Sequence, residues 1–119
     1  MNIIELDSAT LEPGSLPWVE AQIGEAAALT VLLMLERMQE HKRGEDPSET
    51  SRMGPAMMTC LIGWKMDPRL IGLDFEGIIR QRTPAVLHLL CPGFTNEQLA
   101  KMIDDMLKMT NDIIKKYVN

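Results

Sequence analysis

Residues 17–43 read PWVEAQIGEAAALTVLLMLERMQEHKR, and the way this stretch must be enclosed decides the fold. Ser15 stands where a capping hydroxyl is wanted, and Pro17 is tolerated in a first turn. Glu20 and Glu25 lie toward the positive end of the helix dipole, Lys42 and Arg43 lie in the last turn, and Gly44 follows where a left-handed residue ends many helices. The spacing therefore predicts a helix over about 17–43. Its middle, AAALTVLLML at residues 26–35, is apolar on nearly every side. A helix apolar all round has to be covered by other elements, which makes this one the spine of the fold.

The chain outside the spine supplies the cover. Residues 44–52, GEDPSETSR, hold no apolar side chain and read as a solvent-facing loop. Gly54-Pro55, Asp67-Pro68 and Thr83-Pro84 each set a cap-competent residue before a proline, so short helices are expected at about 55–65, 68–81 and 84–91, with Gly72 to Asp74 a candidate break. Thr95-Asn96-Glu97-Gln98 has the form of a capping box, with Phe94 and Leu99 at the two positions of a hydrophobic staple. From there Leu99, Met102, Ile103, Met106, Thr110, Ile113 and Tyr117 recur at helical spacing, and Glu97–Lys101, Asp104–Lys108 and Asp112–Lys116 form i,i+4 pairs. A last helix over about 96–118 follows. Residues 1–14, with Ile3, Ile4 and Leu6 and the closing Pro13-Gly14, read as an extended N-terminal arm. The expected fold is all-α: one helical domain over 15–119, built as a compact bundle of about five helices.

Composition narrows the function. The 119 residues, 45% hydrophobic and 24% charged, suffice for a core, and ten methionines against few aromatics imply flexible thioethers in it. The net charge of −5 argues against a chain whose task is neutralising phosphates. Residues 1–51 carry ten acids against Arg37, Lys42 and Arg43, while residues 52–119 are slightly basic, so the acidic half is suited to a basic partner. Cys60 and Cys91 sit in apolar contexts and are expected as buried free thiols. The start MNIIELDSAT lacks a signal-peptide pattern, and the uncharged apolar run at 26–35 is half a membrane span, so a cytoplasmic protein without a membrane role is expected.

Catalytic and metal chemistry find no purchase. His41, His88, Cys60 and Cys91 are isolated from one another in ligand spacing, the acidic loop lacks a calcium-binding pattern, and no glycine-rich phosphate loop occurs. Neither a metal nor a cofactor is expected. His88 and Cys91, three apart, are the one candidate base and thiol, without a third orienting group. Residues 84–103, a short helix, a Pro-Gly turn and a capped helix presenting Asn96, Gln98 and Lys101, have the order of a helix-turn-helix. Asp104 and Asp105 oppose phosphate contact there, so DNA binding is the alternative rather than the first reading.

The methionines carry the functional expectation. Met34 and Met38, Met53 and Met57, and Met102, Met106 and Met109 pair at spacings of three or four. As plain core they need no further account. As open surface they would form an adaptable groove for another protein, with Trp18 or Trp64 as rigid anchor. No family signature stands at any of these points. The expectation is a non-enzymatic protein-binding module acting through Trp18, Met53, Met57, Trp64, Met102, Met106 and Met109, with homodimerisation as its concrete form. Small adaptors, assembly chaperones, inhibitors and phage accessory proteins share its size and composition, without a shared motif.

Overall fold

The structure, a computed structural model, describes residues 11–118. It is all-helical: α1 (Leu16–Lys42), α2 (Gly54–Lys65), α3 (Phe75–Leu90) and α4 (Asn96–Val118), with single 3-10 turns at Ser51–Met53 and Pro68–Leu70 and no strand among the described residues. Most of the expected arm, residues 1–10, lies outside them.

α1 begins and ends as its sequence requires. The Ser15 hydroxyl oxygen accepts the Trp18 N–H at 3.3 Å. At the other end Gly44 takes φ +69°, letting its N–H reach the His41 carbonyl and the Glu45 N–H reach the Glu40 carbonyl, so the final turn closes on itself. Between these ends α1 touches α2, α3 and α4, and it buries Ile23, Ala26, Ala27, Ala28 and Val31. By length and composition α1 is apolar enough to cross a membrane, and half of its most apolar window is buried inside the protein, which is equally the condition of a core helix.

The four-helix count corrects the expected five at α3. No boundary falls at Thr83-Pro84; α3 runs from Phe75 to Leu90 with Pro84 inside it. Two packing facts explain this. Ile79, Thr83 and Leu87, four apart and fully buried, form one stripe against the core that a break at Pro84 would split. The Thr83 hydroxyl donates to the Gly24 carbonyl on α1 at 3.5 Å instead of capping its own helix. The carbonyl that Pro84 leaves without a donor belongs to Arg80, an exposed residue. The break falls upstream. Asp67 caps only the one turn Pro68–Leu70, Gly72 takes φ +100°, and Asp74 then accepts the Gly77 N–H at 3.1 Å to start α3.

α4 starts at the expected box: the Thr95 N–H donates to Gln98 Oε1 at 2.8 Å and the Gln98 N–H to Thr95 Oγ1 at 3.1 Å. Leu99 is buried and Phe94 packs against the same core. Gly93 in the preceding turn does not adopt positive φ. The three expected charge pairs do not form: Asp104 pairs with Arg80 on α3, which offers it a guanidinium that Lys108 would have to displace, Lys101 pairs with Asp105, and the Lys116 ammonium lies over the Tyr117 ring.

Candidate functional groove

The loop after α1 is fastened by a carboxylate. Glu40 is only 4% exposed; its Oε2 accepts the Ser48 N–H at 3.1 Å, and Arg37 lies 3.8 Å from its Oε1. One turn back, Glu36 Oε1 accepts the Ser48 hydroxyl at 3.3 Å. The Ser51 hydroxyl beside Glu40 does most to hold its carboxyl below the ordinary value; burial opposes, and Ser48 and then Arg37 add to the lowering. This tie sets Ser51 and the start of α2 against α1.

Beside that tie lies a groove of about 510 Å³ bounded by three helices. α1 contributes Leu33, Met34, Arg37 and Met38, one face at spacings of three and four. α2 contributes Pro55, Met58, Thr59 and Ile62, and α4 closes the far side with Met109 and Ile113. Its wall is almost wholly apolar. Met38 and Met109 stand 54% and 45% exposed at the rim, whereas Met58 is buried in the floor. The Arg37 guanidinium is held at the loop end, donating to the Glu45 carbonyl at 3.4 Å.

The expected surface residues are thus divided. Met109 lines the groove. Met106, three residues earlier, is fully buried in the core, and Met102 packs half-buried against the same core, so neither adds to an open face. Met57 and Trp64 line a different hollow between α1 and α2. Met53 is exposed on the turn before α2, and Trp18 is half-buried in the first turn of α1; neither borders the groove. Met34, Met38 and Met58, outside the expected set, line the groove as well. The i,i+4 pairing of Met34 and Met38 is visible in sequence, but the face that neighbouring helices leave uncovered is not.

Other candidates dissolve on geometry. His88 Nε2 lies 2.7 Å from Asn96 Oδ1, its hydrogen-bond partner in place of Cys91. Both cysteines are free, but Cys60 is exposed and Cys91 half-buried, correcting the expectation of buried thiols: Cys60 lines the open hollow between α1 and α2. Among the described residues no three of His, Cys, Asp or Glu gather at metal-binding distance.

No family model, curated protein or solved structure matches this chain. The groove therefore has to be read from its own chemistry.

Proposed function

We propose that the chain is a non-enzymatic protein-binding module, a small adaptor, assembly chaperone or inhibitor, whose docking surface is the groove between α1, α2 and α4. The observation that carries this reading is an apolar hollow of about 510 Å³ left open beside a core that closes fully over Leu99, Ile103 and Met106. Water in such a hollow is released when a partner's apolar side chains enter, and flexible thioethers adapt to the shape that arrives. The buried Met58 side chain forms the groove's floor. Self-association is the concrete form of the activity, and the two free thiols suit the reducing cytoplasm.

The alternative, a DNA-binding regulator over residues 84–103, draws less support. Gln98 is spent on the capping box, Asn96 on His88 and Lys101 on Asp105. Arg80 and Arg82, the bases that would meet phosphates, are paired with Asp104 and Glu20.

Sedimentation of the parent beside Met38→Glu and Met109→Glu tests the proposal. Both variants should keep their helical circular dichroism and lose the associated species, and the parent's association should hold from low to physiological salt, as an apolar interface does and a phosphate interface does not. A parent that stays monomeric at high micromolar concentration, or an associated species untouched by either carboxylate, would overturn it.

A further inference from the structure

Two apolar hollows flank α1, and the charges in their walls are opposite. The hollow of about 690 Å³ beside the N-terminal half of α1 has Glu25 and Asp67 in its wall. The methionine groove beside the C-terminal half has Arg37 in its wall and no carboxylate, and through Arg37 and Met38 it continues into a hollow of about 340 Å³ completed by His41 and Lys42. Residues 3–7 read IIELD, three apolar side chains with two carboxylates among them, and residues 1–14 contain no Lys, Arg or His. Arg37 is already paired with Glu40 and Asp67 with Arg69, so the cation open to an acidic segment at the end of the methionine groove is Lys42 in the last turn of α1.

We propose that residues 3–7 of a second copy occupy the groove, Ile3, Ile4 and Leu6 entering the methionine-walled part and Glu5 and Asp7 lying toward Lys42. This rests on the reading of the groove as a binding surface and names its occupant. Chain length favours the second copy over the same one. From Leu11 back to Leu6 a fully extended chain spans at most about 18 Å, while α1 rises about 26 Å from Leu16 to Leu33, where the groove begins. With the Glu12–Ser15 turn keeping Leu11 near the start of α1, even a fully extended arm of the same copy carries Leu6 only about 18 of the about 26 Å to the near edge. A second copy with its α1 antiparallel sets the root of its arm beside the groove. The exchange is then reciprocal, two arms in two grooves, and closes as a symmetric dimer.

Cross-linking between marked chains tests the exchange. Two full-length proteins carry Cys60→Ser and Cys91→Ser; one adds Leu6→Cys, the other Thr59→Cys, at an exposed position on the α2 wall. Any disulfide between the two types joins separate copies. The expected result is a heterodisulfide on mild oxidation of the mixture. In otherwise unaltered protein, Ile3→Asp with Leu6→Asp should weaken self-association about tenfold or more, the size of a lost apolar contact set, as Met38→Glu does. Glu5→Lys should weaken it too and be restored by Lys42→Glu. A disulfide that closes only when one chain carries both cysteines would show the arm in its own groove and overturn the exchange. Arm substitutions without effect beside a Met38→Glu variant that falls apart would also overturn it while leaving the groove a binding surface for something else. If Met38→Glu changes nothing either, the groove reading falls with it.

Discussion

At residue scale one tight constraint lies where α1 and α3 cross. A Cβ built on Gly24 would stand 2.7 Å from the Cβ of Arg82, a distance that only movement of a helix can relieve, since the clashing atom is next to backbone. Gly24→Ala gains up to about 1 kcal/mol of helix propensity, yet overpacking at such a contact costs about 1–3 kcal/mol. The variant should be the less stable protein, read as a lower urea midpoint; a raised midpoint would mean the helices do not meet at Gly24. The start of α4 is a second such point. Thr95→Ala removes the oxygen that accepts the Gln98 N–H and should lower stability by about 1 kcal/mol. Gly93→Val, two residues away, should fall within about 0.5 kcal/mol of the parent, because Gly93 lacks positive φ and has open space where a Cβ would stand. Equal melting of all three proteins would place the helix start elsewhere. The box at Thr95 is legible in sequence because both partners lie within four residues. The demand for glycine at 24 is not, because its cause is Arg82, far along the chain.

At the scale of elements, the starts of α1 and α4 follow from local capping chemistry, whereas the extent of α3 follows from packing. Pro84 looks like a first-turn proline as long as Thr83 is free to cap; once the Thr83 hydroxyl donates to Gly24 on α1, the stripe Ile79, Thr83 and Leu87 carries the helix through. The loop at 44–50 presents the reverse case, a polar segment whose anchor is an ionised side chain. Glu40 sits below its ordinary value of 4.5, chiefly through the Ser51 hydroxyl and then Ser48 and Arg37, against the opposing effect of burial. A depressed carboxyl stabilises the fold fully above the unfolded value and loses that contribution as pH falls through the lowered one. Glu40→Gln should therefore be less stable than the parent near pH 6, and the gap between their urea midpoints should narrow below about pH 4.5 and close in stronger acid. A gap unchanged across that range would show that the loop is held by something other than the Glu40 charge.

For the whole molecule, the question is which apolar faces the helices cover and which they leave for a partner. Periodicity places Met102, Met106 and Met109 on one side of α4, and nothing in that spacing separates them. Packing does. The core closes completely over Met106, while Met109, one turn further along, forms the α4 edge of the open groove. A charge placed at each position separates core from interface within one protein. Met106→Glu buries a carboxylate without a partner, which costs several kcal/mol against a margin of about 5–15 for a chain of this kind; the helical signal should collapse or melt near ambient temperature. Met109→Glu sets the same carboxylate at a half-exposed rim, where it remains hydrated, so helicity and cooperative melting should persist and only the associated species should disappear. If Met109→Glu unfolds like Met106→Glu, the third wall of the groove is core, and α4 has no open face to offer. If both variants fold, the centre of the molecule is not packed around Met106, and the helices would have to be arranged differently about α1.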